Sequence, residues 1–500
     1  EKRAIGIRAA SLVTPDDSIL IASGTTMLFL AREIKAQGRL TVITSAVNIV
    51  PILVRDHNVD VVQLGGMVRN SLLGYPVNDT DVCSALRIED VEAMLTARGI
   101  ECRKKGAAFG TLDIVMGGMS FEYAAFRTER YDGTGSHRPS EVSFAATLEE
   151  DAFRRDFTVN AVYLDPLTKE VIDPTGGVKD MERRILRATN PDPALIMRDD
   201  GVRILRLCRF AGQLGFEADE NTLAAAYASR EGLKDISPER IYAELCKLIM
   251  ADTAYGAGYD ALIGALHLLH RSGAIEVLLP ELEICYDVKQ RRDFHKYDVM
   301  EHNLRACAAV PPELVLRWTM LLHDTGKATA FYDHGSMHGH EMYSARIAND
   351  VLTRLKAPNA LREEVVKLVR WHMFDLKGET RVRKIKKKFV ELGRDGAQKL
   401  ILIREADVHG SGIVLGRVDT AERWKRVYAE MQAENAPFTE KELKCTGQDI
   451  CRWLNIRPCP RVGEVKRALL MHCACKPRDN EPKMLEKITR DIGKGNIKDE

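Results

Sequence analysis

Residues 64–82 read Leu-Gly-Gly-Met-Val-Arg-Asn-Ser-Leu-Leu-Gly-Tyr-Pro-Val-Asn-Asp-Thr-Asp-Val, and our expectation for the fold starts from these residues. The apolar run from Val59 to Leu64 predicts a strand, and a helical stretch follows Gly65 and Gly66. Glycines at such a turn let backbone N–H groups approach a phosphate at the N-terminus of the helix. The stretch therefore predicts a phosphate-binding turn within an α+β domain.

Two aspartates, Asp79 and Asp81, lie two residues apart near the end of this stretch. In a strand, residues two apart face the same side, so both carboxylates can share divalent cations. Carboxylates that hold two metal ions suit the in-line attack of a hydroxyl on an α-phosphate. An isolated Asp-x-Asp is usually a solvated turn, but the upstream Gly-Gly pair favours a nucleotidyl-transfer site.

The composition sets wide limits. The 500 residues predict several domains, and the formal net charge of +1 means that only local basic patches could hold a nucleic acid. The eleven cysteines lack zinc-finger spacing, and we interpret them as reduced thiols of a cytoplasmic protein. The sequence contains no run of about eighteen apolar residues, and we expect no signal peptide.

A second block, residues 154–161, reads Arg-Arg-Asp-Phe-Thr-Val-Asn-Ala. Arginine suits a triphosphate because its guanidinium can bind two oxygens at once, and Asp156 and Asn160 could bond to a ribose hydroxyl. Taken alone, the block is better explained as a helix start with a cluster of surface charges.

A third block, residues 199–210, places Asp200, Arg203 and Arg206 at three-residue spacing. An aspartate and an arginine on one helix face offer acceptors and donors that can mimic the pairing partner of a base. A ladder of salt bridges along a helix is a strong alternative explanation.

Histidines concentrate in one region, where eight of the thirteen lie between His295 and His409. The His323-Asp324 pair follows an apolar helical run. Imidazole and carboxylate together suit Mn, Ni, Co or Mg, and water bound to such an ion becomes a nucleophile. The alternative is a relic domain that packs without a metal.

Together, these blocks resemble the class II CCA-adding enzymes, the tRNA nucleotidyltransferases of the poly(A) polymerase superfamily, from about Gly65 to the C-terminus. The resemblance implies an α+β nucleotidyltransferase head followed by a mostly α-helical body with an HD domain. It implies template-independent addition of C, C and A to the 3′ end of tRNA from CTP and ATP, with Mg²⁺ as cofactor. We expect neither a membrane nor DNA as a partner.

The resemblance also assigns roles to residues. Asp79 and Asp81 would hold the metal ions, and Glu122 would act as a general base. Asp200 and Arg203 would select the base. The residues implied in nucleotide binding are Gly65, Gly66, Arg69, Arg155, Asp156, Asn160, Asp200, Arg203, Arg206 and Arg209.

The histidine region resembles an HD phosphohydrolase, which implies a 2′,3′-cyclic phosphodiesterase or phosphatase for RNA ends. The metal there would be Mn²⁺ or Ni²⁺. The implied ligands are His302, His323, Asp324, His340, His372 and Asp407.

Two segments favour full C-C-A addition. Residues 105–112 resemble the Gly-Thr turn of the CCA-adding enzymes and lack the Gly-Arg-Arg-Phe signature of bacterial poly(A) polymerases. The loop of residues 127–139 is present, whereas family members that stop after two C residues tend to lack it. The alternatives are a poly(A) polymerase, or a fragment of a sugar-phosphate-binding regulator in which only the HD phosphohydrolase works.

The N-terminal residues resemble part of the sensor domain of DeoR-type regulators, and this resemblance ends after Asn70. In such regulators Ser-Gly-Thr-Thr, here residues 23–26, contacts a sugar phosphate. CCA-adding enzymes normally have Asp at the position of Asn70. We interpret the chain as a fusion at a Gly-Gly-x-x-Arg turn that both families share.

The predicted organisation has five parts. They are a sensor-like α/β segment (1–64), the nucleotidyltransferase head (65–187), a helical neck and body for nucleotide selection and RNA binding (188–290), an HD phosphohydrolase domain (291–412) and a helical tail that binds tRNA (413–500).

Overall fold

The computed structural model describes residues 2–12, 18–21, 26, 30, 33, 41–44, 62–77, 81–97, 100–106, 109–116, 119–131, 139–144, 147–165 and 168–493. The chain forms two compact units, Glu1–Leu278 and Leu279–Glu500. The predicted phosphate-contacting residues 23–25 and Asp79 lie outside the described residues, as do residues 132–138 of the loop expected to favour C-C-A addition.

The first unit contains the described strands. At its start, helix α1 (Lys2–Ala10) precedes a parallel pair, β1 (Ser18–Ile21) and β2 (Thr41–Thr44). The remaining strands are β3 (Val62–Leu64), β4 (Asp81–Ser84), β5 (Glu101–Gly106), β6 (Thr111–Met116), β7 (Met119–Ala125), β8 (Arg127–Arg130), β9 (Glu141–Phe144), β10 (Tyr163–Leu164), β11 (Val171–Ile172), β12 (Ile185–Leu186) and β13 (Glu217–Ala218).

Seven of these strands form one mixed sheet in the order β11-β10-β3-β4-β7-β6-β5. Successive side chains of a strand face opposite sides, and both faces of β4 are buried. Val82 packs with Leu95 in one apolar cluster, whereas Cys83 packs with Ala152 in another. Asp81 therefore lies on the same face as Cys83.

Helices cover this sheet and build the rest of the first unit. They are α2 (Gly66–Leu73), α3 (Ile88–Thr96), α4 (Leu148–Phe153), α5 (Gly177–Arg183), α6 (Pro193–Asp199), α7 (Val202–Leu214), α8 (Glu220–Ala228), α9 (Pro238–Ile249), α10 (Gly258–Arg271) and α11 (Ala274–Leu278). The buried side of α7 is mostly apolar. One of its arginines, Arg203, is buried among these apolar residues, and the other arginines border them.

The described part of the second unit is helical. Its helices are α12 (Pro280–Glu283), α13 (Val299–Ala309), α14 (Leu314–Leu322), α15 (Gly326–His334), α16 (His340–Arg354), α17 (Asn359–Trp371), α18 (Val382–Gly410), α19 (Asp419–Ala433), α20 (Gly447–Leu454), α21 (Pro460–Cys475) and α22 (Pro482–Gly493). Helix α18 is kinked at Gly393, whose φ is 82°.

The fold-class prediction is confirmed, because a mixed sheet in the head is followed by a helical body. Among the described residues, no helix has both the length and the apolar character needed to cross a bilayer.

One close helix contact in the second unit brings two predicted metal ligands together. Gly410 ends α18 against Ala306 of α13, and a Cβ at position 410 would lie 2.7 Å from the Cβ of Ala306 and 2.9 Å from its Cα. Only glycine permits this approach, because the nearest atoms include backbone. Asp407 lies one helical turn before Gly410, and His302 lies one turn before Ala306.

We expect Gly410→Ala to destabilise the second unit by about 1–3 kcal/mol, the usual range for overpacking. The measurement is the unfolding midpoint of the full chain by differential scanning calorimetry. The matched control is Gly463→Ala in α21, where an added Cβ meets nothing within 4 Å. That change should raise stability by about 0.5–1 kcal/mol. Equal midpoints for the two variants would contradict the contact.

Candidate functional site

Three carboxylates lie in a row across the head sheet. The register pairs Asp81 with Glu122 of β7, and it pairs Glu122 with Asp113 of β6. Paired residues project from the same face, so the three side chains share one side of the sheet. Carboxylate oxygens are the ligands that Mg²⁺ binds, so these side chains are candidate ligands for a divalent cation. Asp79 is not described, and its place beside Asp81 stays a prediction.

A cleft of about 200 Å³ opens at this row. Its lining consists of Leu64, Asp81, Thr111, Glu122, Ala124, Arg127, Arg154 and Arg155. Arg155, one of the predicted nucleotide ligands, is fixed by an ion pair with Asp151 (Nη2 to Oδ2, 2.7 Å) and a bond from Nε to the hydroxyl of Tyr163 (3.0 Å). The cleft thus joins acidic groups suited to a metal with guanidinium groups suited to a phosphate.

The Gly-Gly turn forms where the sequence predicts it. Gly65 precedes α2 with a φ of 68°, a left-handed conformation that favours glycine. Its N–H donates to the carbonyl of Val162 (3.3 Å), and its carbonyl accepts from the N–H of Arg69 (3.1 Å). The turn therefore ties the start of α2 to the segment that precedes β10.

Four predicted nucleotide-binding residues form a chain of hydrogen bonds. Arg69 donates from Nη1 to Oδ1 of Asn160 (2.5 Å), and Asn160 donates from Nδ2 to Oδ1 of Asp156 (3.0 Å). Arg206 of α7 donates from Nε to the other oxygen of Asp156 (2.7 Å). Burial alone would raise the pKa of Asp156, but the charge of Arg206 and these hydrogen bonds lower that pKa to about 2.

Asn70, where the family normally has Asp, completes this chain. Its Oδ1 accepts from Nε and Nη2 of Arg69 (3.1 and 2.8 Å). Its Nδ2 donates to the carbonyl of Pro76 (3.1 Å) and to the hydroxyl of Tyr255 (3.0 Å). The ring of Tyr255 stacks on Tyr75 with centroids 4.7 Å apart. Asn70 therefore holds Arg69 and the segment that leads toward Asp79 and Asp81.

The two residues implied in base selection lie at a larger cavity of about 690 Å³. Arg203 is 8% exposed, and it donates to the carbonyls of Ile196 (3.0 Å) and Arg154 (2.9 Å). Asp200 accepts from the N–H of Val202 (3.1 Å) at the start of α7. These bonds fix the orientation of both side chains relative to the cavity.

The same cavity contains groups that the sequence analysis missed. Arg240 and Lys247 line it from α9, and Arg240 bonds to Asp200 (Nη2 to Oδ2, 3.0 Å). Glu244 lies between them and pairs with Arg209 (2.8 Å). Arg240, Glu244 and Lys247 lie four and three positions apart on one amphipathic helix, and this spacing is the sequence pattern that could have identified them. Asp113 was also missed, although it lies only two residues after Thr111 of the Gly-Thr turn.

Seven basic and four acidic side chains are among the described residues that line this cavity. The basic side chains are Arg127, Arg154, Arg155, Arg203, Arg206, Arg240 and Lys247, and the acidic side chains are Glu129, Asp156, Asp200 and Glu244. The excess of positive charge suits a polyanion such as a triphosphate.

In the second unit, the six predicted HD ligands converge. Two groups can each hold a cation: His302, His323, Asp324 and Asp407, and Asp324 with His340 and His372. Within each group, the ligand atoms all lie within 4.8 Å of one another. These residues are spread over 106 positions of the sequence, from His302 to Asp407. They are brought together by five helices, α13, α14, α16, α17 and α18, so only the folded chain forms the site.

The ring orientations fit a metal. Nδ1 of His323, His340 and His372 lies 2.8, 2.8 and 2.6 Å from the carbonyls of Met320, Met337 and Val369. A carbonyl only accepts, so each Nδ1 carries the proton and each Nε2 of a neutral ring presents its lone pair to the centre. Burial alone would raise the pKa of Asp324, but His323 and Lys327 hold it well below its usual range.

Four family models match parts of the chain. The Poly A polymerase head domain matches residues 61–187, the "Probable RNA and SrmB- binding site of polymerase A" matches residues 215–285, and the HD domain matches residues 295–409. The DeoR C terminal sensor domain matches residues 1–101, which extends beyond Asn70, where the sequence analysis ended that resemblance.

Relatives span most of the chain. An A-adding tRNA nucleotidyltransferase of Deinococcus radiodurans is 33% identical over 374 residues, 72% of this chain and 82% of that protein. A multifunctional CCA protein of Neisseria gonorrhoeae is 35% identical over 343 residues, 65% of this chain and 77% of that protein. The crystal structure of the Bacillus stearothermophilus CCA-adding enzyme in complex with CTP shares the fold, with a TM-score of 0.62, 24% identity and coverage of 88% of this chain and 95% of that chain. The chain belongs to the class II CCA-adding enzymes, the tRNA nucleotidyltransferases of the poly(A) polymerase superfamily, and it carries an HD domain.

Proposed function

We propose that the head adds C, C and A to the 3′ end of tRNA from CTP and ATP, without a nucleic-acid template. The observation that carries this proposal is the hydrogen-bonded chain from Arg69 through Asn160 and Asp156 to Arg206. It connects the Gly-Gly turn to α7, and α7 contributes Arg203 and Arg206 to a basic cavity of about 690 Å³. A triphosphate and a base could be held at opposite ends of that connection.

In the reaction, the 3′ oxygen of tRNA forms a bond to the α-phosphorus, the bond to the β-phosphate oxygen breaks, and pyrophosphate leaves. Asp79 and Asp81 would hold Mg²⁺, which supplies charge stabilisation when bound. Glu122 takes the proton of the attacking hydroxyl. Arg154 and Arg155 line the cleft beside these carboxylates, where their guanidinium groups would bind the phosphates.

Base selection is assigned to Asp200 and Arg203. A guanidinium has five N–H donors in one plane, and the bonds from Arg203 to the carbonyls of Ile196 and Arg154 set that plane. Because a rigid donor plane discriminates the edges of bases better than a mobile one, the fixed orientation supports selection by the protein itself. Arg206 and Arg209 are further nucleotide contacts in this proposal.

The test uses the purified full chain, Mg²⁺, labelled CTP and ATP, and a tRNA that lacks its three terminal nucleotides. Product length is read at single-nucleotide resolution. We expect addition of C, C and A, and we expect Asp81→Asn to lower the rate about a hundredfold or more, since charge stabilisation by a metal is worth several kcal/mol. The control is His302→Ala, which changes only the other unit and should add nucleotides at the wild-type rate.

Other product lengths would contradict the proposal in distinct ways. A single A added only to a tRNA that already ends in C-C would indicate the activity named for the Deinococcus relative. A long run of A would indicate a poly(A) polymerase. No addition by a folded chain would favour the alternative of a regulator fragment with only the HD phosphohydrolase active.

Asn70 provides a second test of the head. We expect Asn70→Asp to keep the nucleotide KM within a few-fold, because charged hydrogen bonds to Arg69, about 1.5–3 kcal/mol, offset the lost neutral bond to Pro76, about 0.5–1.5 kcal/mol. Asn70→Leu removes the acceptor for Arg69, and we expect it to raise KM about tenfold or more. Equal KM values for the two variants would contradict the role of Asn70 in holding Arg69.

We propose a phosphohydrolase activity on RNA ends for the HD domain. The convergence of His302, His323, Asp324, His340, His372 and Asp407 supports it. Mn²⁺ or Ni²⁺ suits these imidazole and carboxylate ligands and would activate water as a nucleophile. We expect hydrolysis of 2′,3′-cyclic AMP that is lost in Asp324→Ala and retained in Asp81→Asn. Hydrolysis that persists in Asp324→Ala would contradict this assignment.

A further inference from the structure

Tyr255 connects two parts of the first unit that lie far apart in the sequence. It precedes α10 and falls within residues 215–285, which match the probable RNA-binding site of polymerase A. Gly256 and Gly258 follow it with φ values of 69° and 83°, left-handed conformations that favour glycine. The side chain of Tyr255 nevertheless bonds to α2 of the head, so it joins the segment matched as RNA-binding to the helix of the Gly-Gly turn.

The hydroxyl of Tyr255 accepts two hydrogen bonds from buried donors. Nη2 of Arg69 donates to it (3.3 Å), and so does Nδ2 of Asn70 (3.0 Å). The direction of both bonds is fixed, because a guanidinium only donates and Oδ1 of Asn70 already accepts from Arg69. Arg69 is 3% exposed and Asn70 is 7% exposed. Loss of the hydroxyl would therefore leave two buried donors short of an acceptor.

Aromatic rings hold the Tyr255 hydroxyl and the Arg69 guanidinium in place. The rings of Tyr255 and Tyr75 stack with planes only 6° apart. The guanidinium carbon of Arg69 lies 5.2 Å from the ring centroid of Phe210 and 6.0 Å from that of Tyr255, within reach of cation–π attraction. The position of Arg69 thus depends on both the ring and the hydroxyl of Tyr255.

Tyr255 lies behind the nucleotide cavities and not in them. Among the described residues, it lines neither the cavity of about 690 Å³ nor the cleft of about 200 Å³. Its connection to the larger cavity is indirect, since Arg69 bonds to Asn160, Asn160 bonds to Asp156, and Asp156 lines that cavity. A residue in this place acts on a bound nucleotide only through its neighbours.

We propose that Tyr255 is a positioning residue for the nucleotide site of the head. Its hydroxyl sets the Arg69 guanidinium, and Arg69 in turn orients Asn160 and Asp156. A carboxylate has no N–H to donate, so Asn70, unlike the aspartate usual in the family, needs this hydroxyl as an acceptor. The inference rests on the proposed function of the head for its ligand, CTP or ATP, but nucleotide binding can be measured without any nucleotide addition.

The test measures the Kd of CTP for the purified full chain in Mg²⁺ by isothermal titration calorimetry. Tyr255→Phe keeps the stacked ring and removes only the hydroxyl, and we expect the Kd to rise about fivefold or more, the effect of an unpaired buried donor. The matched control is Tyr75→Phe, which removes the hydroxyl from the other ring of the same stack. We expect the Kd of this control to stay within about twofold of the wild-type value, because the bonds to Arg69 and Asn70 remain.

A double-mutant cycle tests whether Tyr255 acts through position 70. In Asn70→Leu the hydroxyl has already lost one of its two donors. Adding Tyr255→Phe to that variant should therefore raise the Kd by a smaller factor than it does in the wild-type chain, because contacting residues are not additive. The same factor in both backgrounds would overturn the inference.

Other outcomes also decide the role of Tyr255. An unchanged Kd in Tyr255→Phe with a lower unfolding midpoint would mean that the residue only stabilises the fold, and an equal rise in Tyr75→Phe would assign the effect to the stack; either would overturn the inference. The proposed function fails separately. A wild-type chain that binds CTP but does not add C, C and A would reject that function, while the Kd comparison would still stand. A wild-type chain that binds neither CTP nor ATP would overturn both.

Discussion

The buried carboxylate of Asp156 is the constraint on which the head cavity depends. It is 7% exposed, and it accepts from Asn160 on one oxygen and from Arg206 on the other. A buried charge persists only when it is paired and hydrogen-bonded, so each partner must lie where Asp156 requires it. Through Asn160 the requirement extends to Arg69 in α2, and through Arg206 it extends to α7. One carboxylate therefore links the position of α2 to that of α7.

Asp324 is the corresponding buried carboxylate of the second unit. Its Oδ2 faces His302 and His323, and its Oδ1 faces His340 and His372. Bonds from Nδ1 to backbone carbonyls in His323, His340 and His372 hold these rings toward it. Such bonds fix the tautomer before any ligand arrives. The close approach of Gly410 and Ala306 then fixes the distance between the helices that carry Asp407 and His302.

The sequence predicted features that depend on local patterns. The turn at Gly65 follows from glycine chemistry after an apolar run, whereas Glu122 and the HD ligands were assigned by the resemblance to known families. Contacts between distant residues were not predictable. Asn70 bonds to Tyr255, 185 residues away, and neither residue type indicates the other. Arg203 bonds to backbone carbonyls, which every residue has, so no side-chain pattern reveals its partners.

The place of β3 in the head sheet restricts how the protein could be shortened. β3 lies between β10 and β4, with a hydrogen-bonded neighbour on each side, and it falls within the overlap of the sensor-domain and head-domain matches. A chain that began after Leu64 would expose the edges of two inner strands and invite association through them. The N-terminal segment and the head thus share strand β3. A truncation that removes β3 with the N-terminal segment would leave the head sheet with unpaired strand edges.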